Sequence, residues 1–109
     1  MIKKLFGKAD EDQYIELDMT EEKGDERVVI QVERLEAFAD SERILNKLRG
    51  GSIILTKIKH LRDKDDAEFK RSMEKIKKVC MNIGGEIGAL GTDWILLAPS
   101  FAKIHKAAA

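Results

Sequence analysis

Side chains suited to chemistry are few in this chain: one cysteine, Cys80, two histidines, His60 and His105, and the glycines Gly84, Gly85, Gly88 and Gly91. A structural zinc site takes about four cysteine or histidine ligands at short spacings, and these three residues stand far apart. No serine, histidine and acid arrangement and no paired carboxylates stand out, so the pattern predicts a protein that is not an enzyme and holds no metal or cofactor. Nothing near Cys80 in sequence would lower its pKa, and it falls on an apolar helical stripe, which predicts a small buried hydrophobe. A phosphate-cradling loop follows a strand and opens a helix, whereas Gly84 to Gly91 follow a helix and run through a hairpin. They read as a helix stop, a tight turn and a bare patch of sheet at Gly88 that lets another backbone approach. The single tryptophan, Trp94, is open to two readings, a core residue or an exposed anchor for a bound peptide.

Binding chemistry is more visible than catalysis. Ile2, Leu5 and Phe6 stand at helical spacing with Lys3, Lys4 and Lys8 on the other side, the layout of an amphipathic helix lying in a headgroup layer over residues 1–8. A tail with incidental hydrophobes is the alternative. From Ala9 to Glu26, nine acids against Lys23 alone give a net charge of −8, which predicts a flexible acidic linker. Within it, Tyr14, Ile15 and Leu17 are available for one local contact or an added strand. Overall, 20 basic residues balance 20 acidic ones, so no global field draws the chain to nucleic acid. The lone cysteine and the lack of a secretory core fit a reducing cytoplasm, and no run approaches the roughly 20 apolar residues of a spanning helix.

The elements that position these residues begin at Arg27. Val28-Val29-Ile30-Gln31-Val32 reads as a strand covered on both faces. Asp40 or Ser41 can cap a helix bearing Ile44, Leu45 and Leu48, and Gly50-Gly51 ends it with a left-handed turn. Ser52 to Ile58 forms a second strand. Asp65 and Glu68 have capping-box spacing and open the longest helix, whose stripe is Phe69, Met73, Ile76, Cys80 and Ile83. Glu86 to Leu90 and Trp94 to Ala98 form a hairpin, and Pro99 closes the last strand.

This order, β-α-β-α-β-β, predicts an α/β fold of the α+β two-layer kind, a small mixed sheet with two helices on one face, over residues 27–105. Val28, Ile30, Ile53 and Leu55 put apolar side chains on the face the helices cannot reach, and Gly88 adds its bare patch. A second copy packed sheet to sheet is the expected cover, making a homodimer with room for further assembly.

Four stretches carry a family resemblance: Val28 to Val32, Phe38 to Ile44 leading to Leu48-Arg49-Gly50-Gly51, Ser52 to Leu55, and Gly84 to Pro99. Together they resemble the SepF-like cell-division family, particularly its archaeal members. The resemblance implies an N-terminal membrane-targeting helix (Ile2, Lys3, Lys4, Leu5, Phe6, Lys8), a flexible linker, and a dimeric domain that binds the C-terminal peptide of FtsZ, the tubulin-like division protein. It implies a peptide groove near Leu90, Trp94, Ile95 and Leu97, and a location at the inner face of the cell membrane at the division site. Two departures stand out: a short, strongly acidic linker, and Ala89 where bacterial members place a basic residue. The alternatives from other classes are a dimeric regulatory domain binding a small ligand between subunits, and a nucleic-acid binder using Lys70, Lys75, Lys77 and Lys78, which the neutral charge disfavours.

Overall fold

The computed structural model describes residues 2–10, 13–19 and 28–108, with side chains over 28–105. The elements run β1 (Ile2–Asp10), β2 (Gln13–Met19), β3 (Ile30–Arg34), α1 (Asp40–Arg49), β4 (Ile53–Lys57), α2 (Lys59–Lys64), α3 (Asp66–Asn82), β5 (Glu86–Leu90), β6 (Trp94–Ala98) and β7 (Ala102–Ala108). They make a four-stranded mixed sheet in the order β3-β4-β6-β5 and a three-stranded sheet in the order β1-β2-β7. The class is mixed α+β, as expected.

The central strands pair β3 parallel to β4, with Ile30 opposite Ile53, and β4 antiparallel to β6, with Ile54 opposite Leu97. The β5–β6 hairpin has the bounds read from sequence. Because side chains alternate along a strand, this register divides the sheet into two faces. One packs under the helices, where Leu35, Ile44, Leu45, Leu48, Ile54, Ile76, Cys80, Ile95 and Leu97 make the core. Every residue of the expected α3 stripe joins it, Phe69, Met73 and Ile83 at its margin. The Cys80 thiol lies 3.3 Å from the Glu86 carbonyl oxygen, to which it donates, and burial, with the nearby Glu86 charge, pushes its pKa up to about 11.

Both helices stop where glycine was read as a stop. Gly51 takes φ 95°, a region other residues rarely enter, and its N–H meets the Leu48 carbonyl at 3.0 Å. The starts differ from expectation. Asp40 does not cap α1: its carboxylate accepts from the Glu36 and Ala37 N–H groups of the preceding loop, at 2.9 and 3.1 Å, and the buried Ser41 hydroxyl makes no hydrogen bond. At α3 the box is half made. Asp65 accepts from the Glu68 N–H at 3.0 Å, while the Glu68 carboxylate reaches across to the Phe38 N–H at 2.8 Å. Lys59–Lys64 adds a third helix, α2, beyond the two expected; Leu61 anchors it in the core.

Two further expectations are corrected. Residues 2–10 form strand β1 rather than a helix, paired antiparallel with β2 from Ile2 opposite Met19 to Asp10 opposite Gln13. A lone helix of eight residues is too short to be stable in water, whereas an edge pairing satisfies its backbone. Gln13–Met19, inside the supposed flexible linker, is the added strand, with period-two alternation. Met1, Glu11, Asp12 and residues 20–27 lie outside the described residues, as do the side chains of Ile2, Lys3, Lys4, Leu5, Phe6 and Lys8.

The second correction concerns the face opposite the helices. The chain does not end its fold at Pro99 but turns there, the Ala102 N–H meeting the Pro99 carbonyl at 3.0 Å, and returns as β7. Phe101, Ala102 and Ile104 then pack on Ile53, Leu90, Leu96 and Ala98. Part of the cover assigned to a second copy therefore comes from the chain's own C-terminal strand.

Candidate functional site

The outer face presents, strand by strand, Ile30, Val32 and Arg34 on β3, Ile53, Leu55 and Lys57 on β4, Trp94, Leu96 and Ala98 on β6, and Glu86, Gly88 and Leu90 on β5. Its two halves differ. On the β5–β6 side, β7 closes it: a Cβ at Gly88 would stand 3.1 Å from the Ile104 side chain, so glycine is what lets β7 approach. The Ile104 N–H is held there by the Glu86 carboxylate at 3.0 Å. On the β3 side nothing comparable lies above the strand among the described residues. Ile30 is 38% exposed and Val32 64%, with Val29 beside them at 50%.

Trp94 sits at one end of this face, half-buried, with the Lys57 ammonium 5.9 Å from its ring centre. The turn before it is fixed from the helix side. Arg62 of α2 donates to the Thr92 carbonyl and lies 3.2 Å from the Asp93 carboxylate, and the Ile58 N–H meets the Asp93 carbonyl at 2.8 Å. The Arg62 guanidinium beside Asp93 holds that carboxyl below the usual range. Trp94 thus stands on an anchored hairpin rather than a free loop, faced by Lys57 of β4 and next to a shallow cleft of about 440 Å³ lined by Lys57, Lys59, His60, Asp63 and Lys64.

The structure brings together some of the expected site residues and separates others. Val28, Ile30, Ile53, Leu55 and Gly88 do share the outer face or its margin. Leu90 and Trp94 share it too, but Ile95, 4% exposed, and Leu97, 0% exposed, point the opposite way into the helix-side core. No surface groove contains all four; the pairing of Leu97 with Ile54 and of Leu96 with Leu55 sets which residues of β6 face outward. Lys57 and Arg62 were missed. Lys57 had a signal, as the one lysine of a strand whose neighbours are apolar, while Arg62 belongs to the helix that was not seen.

The family model described as "Cell division protein SepF" matches residues 28–104, the whole region from β3 into β7. The chain belongs to the SepF family. That is a family of cell-division adaptors and not of enzymes. No curated protein matches the sequence. Among solved structures, the SepF-like protein from Archaeoglobus fulgidus superposes with a TM-score of 0.62 at 20% identity, over 67% of this chain and 87% of that one. The SepF-like protein from Pyrococcus furiosus gives a TM-score of 0.63 at 19% identity, over 69% and 90%. These two share the fold. The cell division protein SepF from Methanobrevibacter smithii, solved in complex with FtsZ-CTD, gives 0.59 at 25% identity, over 64% and 88%. The family match takes in the four-stranded sheet with its helices and the start of β7. No described helix is long and apolar enough to cross a membrane.

Proposed function

We propose that this chain is an adaptor that binds the C-terminal peptide of FtsZ and, held at the inner face of the cell membrane, tethers FtsZ at the division site without performing chemistry. One observation carries the reading: the SepF model spans the folded domain, and a SepF of the same fold is known in complex with FtsZ-CTD. The peptide docks at the end of the outer face on Trp94, with Lys57 beside the ring and the buried Leu90 supporting it from the hairpin partner strand. Ile95 and Leu97 support that hairpin from behind. The exposed Ile30 and Val32 favour a second copy against β3, so that each assembly offers two peptide sites.

Membrane attachment rests on Ile2, Leu5 and Phe6 with Lys3, Lys4 and Lys8. Burying three such side chains contributes roughly 4 to 8 kcal/mol, from which ordering the segment subtracts a large share. Two copies on one dimer bind better than one, because the second contact is intramolecular. On lipid the segment is helical, and as an edge strand with a single neighbour β1 can leave without opening the four-stranded sheet.

Calorimetric titration of an FtsZ C-terminal peptide into the full chain tests the partner. Saturable heat that Trp94→Ala weakens is expected; none at high micromolar peptide removes the reading. Liposome flotation of the full chain beside a form lacking Met1–Lys8 tests the anchor, and equal recovery of both with lipid would overturn it.

A further inference from the structure

On the helix side of the molecule, away from the outer face, Phe38 and α3 enclose a cleft of about 630 Å³ lined by Phe38, Arg71, Glu74, Lys75 and Lys78. The Arg71 guanidinium stacks 4.4 Å from the centre of the Phe38 ring and the Lys75 ammonium stands at 5.2 Å. Phe38 is itself fixed, its N–H held by Glu68 at 2.8 Å. Lys75 is partnered by Glu42 at 3.0 Å, which holds the Glu42 carboxyl below its usual range. Arg71 and Lys78 have no ion-pair partner among the described residues. A stacked guanidinium keeps its N–H edge free for a carboxylate, and stacking fixes its plane beforehand.

We propose that this cleft is a second docking site, for an extended acidic peptide of a partner protein other than FtsZ. Spacing and shape support this occupant. Arg71 and Lys78 are seven residues apart on α3, which places them on one face about 10 Å apart along the axis. In a chain extended as polyproline II, with three residues per turn and a rise of about 3.1 Å, carboxylates three residues apart lie on one side at about the same distance. A flat bilayer cannot follow the cleft to its aromatic floor. Glu42 and Glu74 at its edge repel a continuous array of phosphates, whereas a peptide can place its acids to avoid them. Because α3 and the outer face lie on opposite sides of the four-stranded sheet, both peptides can be held at once, and the adaptor then links FtsZ to a further acidic protein.

The test is fluorescence anisotropy of the full chain with a labelled (Glu-Ser-Thr)4 peptide, which spaces acids by three. The control is a peptide of the same composition with its four glutamates contiguous. Saturable binding of the first, several-fold tighter than of the second, is expected. Arg71→Glu and Lys78→Glu should each weaken it roughly tenfold, with Arg71→Lys intermediate, while the FtsZ peptide binds all three variants like wild type. The proposal is overturned if the spaced peptide fails to saturate by millimolar concentration or is indifferent to both charge reversals. It is equally overturned if these substitutions instead abolish binding to anionic vesicles, to a generic duplex or to the FtsZ peptide. Circular dichroism of each variant separates loss of the site from loss of fold.

Discussion

The two faces of the four-stranded sheet are built from the same strands and are about equally apolar, yet they end in opposite states. Beneath the helices Ile54, Ile95 and Leu97 are all but sealed, while on the other side exposure climbs from 0% at Leu96 to 64% at Val32. The difference lies in what returns to each. Three helices blanket one face; on the other, β7 of the three-stranded sheet covers the β5–β6 side, and among the described residues β3 stays exposed. The sealed face can supply only stability, and the incompletely covered one is where another molecule can gain by binding, since burying apolar area contributes about 25 cal/mol per Å².

Four substitutions break or sharpen that contrast. Leu97→Ala, on the sealed face, should cost about 2 to 5 kcal/mol in urea or thermal unfolding; a loss below 1 kcal/mol would show that this face is not closed. Gly88→Val forces a side chain into Ile104 and should cost about 1 to 3 kcal/mol. Its specific signature is faster hydrogen exchange at the Ile104 amide, because β7 is pushed from the sheet. Glu33→Gln acts on the rim of the helix side. Although burial opposes ionisation of Glu33, its bonds from Lys47 and Arg43 hold its carboxyl below the ordinary 4.5. The stabilisation is therefore complete above pH 4.5 and fades as pH falls through the depressed value, so the wild-type advantage over Glu33→Gln, on the order of 1 kcal/mol at pH 7, should vanish in acid. Smallest in stability is Val32→Asp, with less than about 0.5 kcal/mol expected for the single subunit. If the proposed second copy packs on β3, light scattering should nonetheless show a lower mass for Val32→Asp than for the wild type; an unchanged mass would remove β3 as a subunit contact.

Elements with strong periodicity or punctuation were legible. The α3 stripe, the glycine stops and the β5–β6 hairpin all fall where the residues placed them. The outward parity of β6 was not legible, since Trp94-Ile95-Leu96-Leu97-Ala98 is apolar throughout and only its register with β4 separates Trp94 from Ile95 and Leu97. Strand β7 was missed because Ala102-Lys103-Ile104-His105 carries little apolar pattern of its own; contact with Gly88 and Glu86 fixes it. For β1 the same spacing of Ile2, Leu5 and Phe6 that suits a helix on lipid does not forbid a strand beside β2, and pairing decides. The α1 start was misjudged because Asp40 had a competing use, the two loop N–H groups just upstream.

Cys80, the chain's one thiol, has 0% exposure and an acidity suppressed to about 11, so it should be silent toward alkylating dyes until α3 lifts from β5. The protein therefore carries a native clock of its own breathing. The rate at which a maleimide consumes Cys80 reads out how often the helical layer opens, and any ligand bound on the far side of the sheet should slow it only by stabilising the whole domain.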